Sequence, residues 1–224
     1  MIEFGAGKSL AQNIYLSHMG IEQTCVDLNP MVDLDQVNQA IEQIAALGVA
    51  IDGRSVGDLN ELEARYRIRY LAPVDMRRTD YPDGWFDMAI STNTLEHIPQ
   101  DDIKAIFGEL RRIIVPGGHV SARIDYSDHY SHTDKTIGPS NFLFYDAQEW
   151  RRHNLPAHYQ NRLRHGHFVN LFAETGWDTV SAEPRIEHEL DMERAKSELL
   201  CHDGQDHYLA GEFLLRNLPL TQTI

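Results

Sequence analysis

The stretch that decides the fold lies at residues 1–9 and consists of the sequence MIEFGAGKS. An apolar run carries one acidic residue, Glu3, and leads into a turn with two glycines, Gly5 and Gly7. Glycine lets the backbone approach a ligand closely, and the start of a following helix favours an anionic group. The stretch therefore predicts a strand, a ligand-binding turn and then a helix.

Two known kinds of nucleotide-binding loop were compared with this stretch, and neither fits it well. It ends in Gly-Lys-Ser, like a phosphate-binding P-loop, but the first glycine of that loop would fall at Ile2. A nicotinamide-dependent oxidoreductase would need a third glycine at the position of Leu10. Both the nucleotide hydrolase and the oxidoreductase are therefore disfavoured.

Beyond this stretch, apolar runs of strand length alternate with helical periodicity, which is typical of a parallel sheet covered by helices on both faces. We therefore predict an α/β fold. The predicted strands span Met1–Phe4, Gln23–Leu28, Arg67–Val74, Phe86–Ser91, His119–Asp125, Trp177–Glu183 and Gly211–Asn217. The predicted helices begin near Ser9 and Asp58 and span Asp33–Leu47 and Asp101–Val115, the last ended by Pro116-Gly117-Gly118.

We expect one domain over residues 1–224, with two segments longer than such a sheet requires. The first is an inserted helical segment at about 31–66. The second, at about 126–165, is rich in polar residues, as expected of a loop region over an acceptor site. Seven of the twelve histidines fall between His119 and His167, which favours a polar acceptor.

Composition excludes several classes of protein. With 20 basic and 34 acidic residues the net charge is −14, which disfavours nucleic acid as a partner. No apolar run approaches the roughly 18 residues of a membrane span, and no signal segment is evident. The two cysteines, Cys25 and Cys201, are too few for a disulfide scaffold or a zinc motif. We expect a reduced protein of the cytoplasm.

Further carboxylates follow the predicted strands. Asp27 and Asp75 lie at the ends of strands two and three, and the turn from Ser91 to Asn93 follows strand four. Because the carboxyl ends of parallel strands meet at one crevice, these residues and Glu3 are expected to surround one nucleoside-containing ligand. Each of them alone could equally be a helix cap.

Five motifs in order resemble those of class I S-adenosylmethionine-dependent methyltransferases. They lie at Glu3–Gly7, Val26–Leu28, Pro73–Met76, Phe86–Pro99 and Leu110–Gly118, so the resemblance covers about the first 125 residues. It implies a Rossmann-like, seven-stranded and mostly parallel sheet with an antiparallel last strand. It also implies S-adenosylmethionine as cofactor and S-adenosylhomocysteine as product.

The resemblance assigns cofactor contacts by position. It places Glu3, Gly5 and Gly7 at the methionine end, Asp27 at the ribose hydroxyls, Asp75 and Met76 at the adenine, and Ser91 and Asn93 beside the methionine amine. Relatives normally carry a helix before strand one. We therefore expect either a longer natural chain or a less enclosed cofactor.

Candidate catalytic residues follow strand five. We expect His129 to act as general base, with Asp125 or Asp128 as its partner, because an imidazole suits proton removal at neutral pH. Alternatively these side chains only order their loop by hydrogen bonding one another. A divalent metal is a weaker alternative, since the sequence shows no diagnostic ligand spacing and we assign no metal residues.

Four residues are predicted to bind the acceptor, namely Tyr126, His132, Arg162 and Arg164. The two arginines are included because a guanidinium pairs with anionic oxygens. The region also resembles bacterial methyltransferases associated with surface-polysaccharide biosynthesis, which implies a small-molecule or glycan-precursor acceptor. We expect O-methylation. The alternatives are a non-catalytic cofactor-binding module and a metal-assisted sugar O-methyltransferase. Nothing in these patterns fixes the oligomeric state.

Overall fold

A computed structural model describes residues 1–201 and 206–219. The strands are β1 (Ile2–Phe4), β2 (Gln23–Val26), β3 (Ile68–Leu71), β4 (Phe86–Thr92), β5 (Ile114–Asp125), β6 (Trp177–Glu187) and β7 (Tyr208–Asn217). The α-helices are α1 (Ala11–Ser17), α2 (Leu34–Ala46), α3 (Leu59–Tyr66), α4 (Gln100–Ile113), α5 (Tyr130–Thr133), α6 (Ala147–Trp150) and α7 (His165–Glu174). Short 3₁₀ turns span Leu95–His97, Asn141–Phe144, Pro156–His158 and Ser197–Leu199.

The strands form one sheet in the order β3-β2-β1-β4-β5-β7-β6. Neighbouring strands are parallel from β3 through to β5, whereas β7 runs antiparallel to both β5 and β6. The predicted α/β fold with an antiparallel last strand is confirmed. Because the strand order reverses between β1 and β4, a crevice opens at their carboxyl ends.

Helices cover both faces of the sheet. On one face α4 and α7 bury Phe107, Phe168 and Phe172 against the strands. On the other face α1, α2 and α3 bury a second cluster that includes Ile14 and Ile41. The two helices α2 and α3 lie within residues 31–66, where the sequence predicts an additional helical segment.

The structure corrects the predicted start of strand five. Pro116-Gly117-Gly118 was expected to precede the strand, but β5 already begins at Ile114, which pairs with Phe86. The next pairs join Met88 to His119, so the residues between form a bulge. Gly118 is required there, because a Cβ would lie 2.5 Å from the carbonyl oxygen of Asp87.

Other boundaries also differ from the expected ones. Strands β2 and β3 end at Val26 and Leu71, where the chain turns toward the crevice, and are shorter than predicted. Strands β6 and β7 are longer, because their antiparallel pairing continues to Glu187 and Tyr208. Leu47, expected on the buried face of α2, is 81% exposed because that helix ends before it. Within the described ranges, no helix has both the length and the apolar character to cross a membrane.

Candidate functional site

A cavity of about 320 Å³ lies at the carboxyl ends of β1, β2 and β3. Four of the predicted cofactor residues line it, namely Gly5, Asp27, Asp75 and Met76. A larger cavity of about 690 Å³ lies at the amino ends of the strands, against residues such as Thr24. We place the candidate site in the first cavity, because parallel α/β sheets bind ligands at the carboxyl ends of their strands.

Gly5 of the glycine turn forms part of the wall of this cavity, whereas Gly7 does not line it. Gly5 has φ +71° and Gly7 has φ +74°, conformations that other residues rarely adopt. A Cβ on Gly5 would lie 2.3 Å from the Thr94 side chain, whose hydroxyl donates to the Gly5 carbonyl at 3.3 Å. The loop after β4 therefore packs directly on the turn, and only glycine allows this approach.

Asp27 is held in place at the edge of the cavity. Its carboxylate accepts hydrogen bonds from the Tyr70 hydroxyl at 2.8 Å and from the Gly7 N–H at 3.2 Å. Burial raises the pKa of Asp27, and these hydrogen bonds oppose the rise. Tyr70 was not among the predicted site residues. In the sequence it is one tyrosine within the short strand β3, and nothing there links it to Asp27.

Two predicted cofactor residues lie beneath the cavity instead of lining it. Glu3 is buried and accepts a hydrogen bond from Asn13 Nδ2 at 2.5 Å, which ties α1 to β1. Burial raises the pKa of Glu3 to about 7, although the Asn13 hydrogen bond opposes this. Ser91 is also buried, and its hydroxyl has no hydrogen-bond partner within the described part of the chain.

Asp75 lies at the exposed rim of the cavity and is paired with Arg77 at 2.6 Å. Arg77 also bridges to Asp102 at 2.9 Å. The Arg77 hydrogen bonds hold the pKa of Asp75 below its ordinary value. Met76 is buried in the main core and presents one edge to the cavity.

A further cavity, of about 440 Å³, lies at the end of β5, and we call it the second cavity. Among the predicted residues, Asn93, Asp125 and His132 line it, together with Ser127 and Lys135. Asn93 therefore lines the second cavity and not the first. Its backbone has φ +51°, which turns the chain between the two cavities.

Five titratable residues lie where the two cavities adjoin, and we call them the boundary cluster: Glu96, His97, Asp125, His129 and His132. His97 lines the first cavity, whereas Asp125 and His132 line the second. The Asp125 carboxylate lies 3.6 Å from His129 Nε2 and 3.7 Å from His132 Nε2. The His129 ring lies 4.8 Å from those of His97 and His132, between centroids.

Charges within the boundary cluster shift its pKa values. Burial would raise the pKa of Asp125, but His129 and Ser127 together hold it below its ordinary value. Burial would lower the pKa of His129, but the Asp125 carboxylate raises it. For His97 burial prevails and the pKa is lowered.

Glu96 was not predicted as a site residue, although it is the most buried member of the cluster. Its residue is 1% exposed, and neither carboxylate oxygen accepts a hydrogen bond of ordinary geometry from the described residues. Burial raises the pKa of Glu96 to about 7, while the nearby N–H groups of Glu96 itself and Asp125 lower it in part. The one feature of the sequence that could have identified Glu96 is its charge within the run Leu95-Glu96-His97-Ile98.

A loop from 159 to 161 holds the boundary cluster in position. The Tyr159 carbonyl lies 3.0 Å from His97 Nδ1. Asn161 Nδ2 donates to the carbonyls of Leu95 and Ile98, at 2.7 and 2.8 Å. Gln160 accepts from the His129 N–H at 3.2 Å. These positioning residues could not be assigned from sequence because their partners lie 31 to 66 positions away.

The structure separates the two candidate partners of His129. Asp128 is fully buried and accepts hydrogen bonds from the Tyr130 N–H at 3.0 Å and from Asn141 Nδ2 at 3.3 Å. Its carboxylate therefore orders the loop. Asp125, not Asp128, lies against the His129 imidazole.

Three predicted acceptor residues also need correction. Arg164 is fully buried and donates to the carbonyls of Tyr126, Asp206 and Tyr208. Tyr126 is buried with its hydroxyl 3.2 Å from His165 Nδ1. Arg162 donates to two backbone carbonyls and is half-buried. Arg164 ties the 126–165 region to β7 through Tyr208, whereas Tyr126 and Arg162 pair with groups of that region itself. Arg164 and Tyr126 are interior, but Arg162 lines a separate cavity of about 650 Å³.

Comparison with known proteins gives one family match. The family described as "Methyltransferase domain" matches residues 2–122. A curated relative, phosphoethanolamine N-methyltransferase 3 of Arabidopsis thaliana, is 27% identical over 135 residues. That alignment covers 60% of this chain and 26% of the relative, so the chain matches about a quarter of the length of the relative.

Solved structures share the fold at low sequence identity. A SAM-dependent methyltransferase from Methanosarcina mazei is 12% identical with a TM-score of 0.58, covering 98% of this chain and 92% of that one. Geranyl diphosphate C-methyltransferase from Streptomyces coelicolor A3(2) is 10% identical with a TM-score of 0.54, covering 97% and 72%. That structure contains Mg²⁺, geranyl diphosphate and S-adenosyl-L-homocysteine.

Proposed function

Because the chain belongs to the methyltransferase domain family, we propose that it transfers the methyl group of S-adenosylmethionine to a polar small molecule. The observation that carries this proposal is the pair of adjoining cavities. Residues of the cofactor motifs line the first, and polar residues line the second. A methyl donor in one and an acceptor in the other would meet at the boundary cluster.

In this proposal Asp27 accepts hydrogen bonds from the ribose hydroxyls, and Asp75 and Met76 lie at the adenine. The turn at Gly5 and Gly7 lies at the methionine end. Glu3 acts from beneath the turn, where the negative charge that it carries above its pKa of about 7 favours the cationic methionine amine. Ser91 has the same position beneath the crevice, and Asn93 contacts the acceptor side.

For an acceptor hydroxyl we propose that the pair of His129 and Asp125 removes the proton. The hydroxyl oxygen forms a bond to the methyl carbon, the bond from carbon to sulfur breaks, and sulfur keeps the electron pair. The proton passes to the imidazole, which Asp125 orients at 3.6 Å. The protein supplies alignment as well as a base, because the sulfonium already activates the methyl group.

The second cavity favours an acceptor with hydroxyl or anionic groups. Ser127 and His132 supply hydrogen-bonding groups, and Arg123 and Lys135 supply positive charge. We propose a saccharide or glycan precursor. A phosphorylated amino alcohol, the acceptor class named by the curated relative, is the second candidate, because the same cations suit a phosphate.

The test is a transfer assay with S-adenosylmethionine that carries a labelled methyl group. Sugar nucleotides and free sugars form one acceptor panel, and phosphoethanolamine and related amines form the other. We expect labelled product from the hydroxyl panel. Product from the amine panel alone would replace O-methylation by N-methylation. Binding of S-adenosylhomocysteine without any transfer would favour the non-catalytic module.

We treat residues 1–224 as one methyltransferase domain with an acceptor region at about 126–165. We expect it to act in the cytoplasm on a diffusible acceptor. Its oligomeric state is to be measured and not assumed.

A further inference from the structure

We propose that Glu96, His97 and His129 bind one divalent cation at the boundary between the two cavities. The ligand atoms of these three residues lie within 4.8 Å of one another. Small rotations of the side chains would bring them onto one ion, since such bonds are about 2.0–2.2 Å long. The binding itself does not depend on the proposed function, whereas the role of the ion for the acceptor rests on it.

The first argument is the state of Glu96. Its residue is 1% exposed, and neither carboxylate oxygen has a hydrogen-bond partner of ordinary geometry among the described residues. Burying a charged group without a partner is costly, so buried carboxylates are usually paired or coordinate a metal. No Lys or Arg is paired with Glu96 in the part of the chain that the structure describes. A cation is the partner that satisfies both oxygens.

The second argument is the orientation of His97. Its Nδ1 lies 3.0 Å from the Tyr159 carbonyl, an acceptor, so the proton of a neutral imidazole resides on Nδ1. The lone pair of Nε2 is then available at the cavity. Histidines that ligate metals commonly donate their other N–H to a backbone carbonyl in this way. Asn161 further fixes this turn through the carbonyls of Leu95 and Ile98.

The third argument is His129, which comes from the opposite side of the cluster. Its Nε2 is buried and makes no hydrogen bond within the described ranges. The Asp125 carboxylate lies 3.6 Å from the same nitrogen, so it would remain beside an ion bound there. Gln160 holds the His129 backbone at 3.2 Å. The three ligands therefore come from two loops clamped by the same segment.

Two imidazoles with one carboxylate suit a first-row divalent ion such as Mn²⁺ or Zn²⁺ better than Ca²⁺. Three protein ligands leave coordination positions open for an oxygen of the acceptor. A bound hydroxyl would lose its proton more readily, and Asp125 would receive that proton while the oxygen attacks the methyl group. With the ion bound, His129 acts as a ligand, and Asp125 takes over the proton that the proposed function assigns to the His129 imidazole.

The test is titration of the full chain, freed of metal by a chelator, with Mn²⁺ or Zn²⁺ alone. Calorimetry measures stoichiometry, and the spectrum of free Mn²⁺ in electron paramagnetic resonance measures how much is bound. We expect one ion per chain. Loss of an outer-shell partner already costs about 10–100-fold in metal affinity, so Glu96→Gln and His97→Gln should each cost at least that.

His153→Gln is the matched control, because this exposed histidine lies outside the boundary cluster and should leave the titration unchanged. His97→Gln stands in if Glu96→Gln fails to fold. Absence of Mn²⁺ and Zn²⁺ binding, or binding by both variants equal to the unmutated chain, would overturn the site. Titration with S-adenosylhomocysteine on the same samples tests the proposed function separately, so either proposal can fail alone.

Discussion

The hydroxyl of Tyr70 donates a hydrogen bond to the Asp27 carboxylate at 2.8 Å, so strand β3 supports the acidic residue that ends β2. The same carboxylate accepts from the Gly7 N–H at 3.2 Å. Three successive parallel strands thus contribute to one position at the crevice. This is the position proposed for the ribose hydroxyls.

Tyr70→Phe should weaken binding of S-adenosylhomocysteine by about tenfold, because a hydrogen bond to a charged group contributes about 1.5 kcal/mol or more. Calorimetry measures the change. Tyr15→Phe is the control, since that ring is exposed on α1 and 49% accessible. Equal affinity in the Tyr70 variant would show that Asp27 needs no support from β3.

Gly5→Ala should disrupt the glycine turn. The backbone has φ +71°, and the new methyl group would lie 2.3 Å from Thr94 atoms. We expect a stability loss of more than about 1 kcal/mol from the backbone alone, measured by urea unfolding, together with weaker cofactor binding. Gly108→Ala, on an exposed face of α4 with open space around it, should instead stabilise the chain by about 0.5–1 kcal/mol. A Gly5→Ala variant that is more stable to urea than Gly108→Ala would contradict this account.

His129→Gln should lower methyl transfer while the affinity for S-adenosylhomocysteine stays that of the unmutated chain. The imidazole lies at the boundary cluster and does not line the first cavity. Turnover and calorimetry on one preparation measure both effects, with His153→Gln as control. Full activity of His129→Gln would remove this residue from the mechanism.

Glu3 should make stability depend on pH. Burial raises its pKa in the folded chain to about 7 from an ordinary value of 4.5. The folded chain therefore holds a proton on Glu3 that the unfolded chain releases between these values. The contribution of Glu3 to stability is fully present below pH 4.5 and is lost as the pH rises through 7.

The measurement is the free energy of unfolding of the unmutated chain and of Glu3→Gln, at steps from pH 5 to pH 8. The glutamine variant keeps the shape but carries no titratable proton. The difference between the two curves should shift in favour of the variant as the pH rises. A difference independent of pH would mean that Glu3 has an ordinary pKa.

Much of the fold follows from the sequence because its signals are local. The strand and turn at residues 1–9, the helix that follows from Ala11 and the apolar face of α4 each depend on neighbours within a few positions. The bulge at Gly118 could not be foreseen, because it is set by the approach of Asp87 on another strand. The ends of the strands differ from the predicted ones for the same reason.

The candidate site divides in the same way. Positions on the cofactor side, such as Asp27, follow from parallel strands that end at one crevice. The proposed acceptor side depends on which polar groups already have hydrogen-bond partners within the fold. Arg164 satisfies buried carbonyls, and Glu96, which appears in the sequence as one charge in an apolar run, is left without a hydrogen-bond partner among the described residues. Such differences arise from long-range packing.

The crevice at Asp27 is proposed to bind the methyl donor and its product. The most direct measurement is calorimetric titration of the full chain with S-adenosylhomocysteine, NAD and ATP, and of Asp27→Ala with the first. We predict binding of S-adenosylhomocysteine alone, weakened in Asp27→Ala by about 1.5–3 kcal/mol through lost hydrogen bonds to charge. No binding of S-adenosylhomocysteine, or equal binding by Asp27→Ala, would contradict the account.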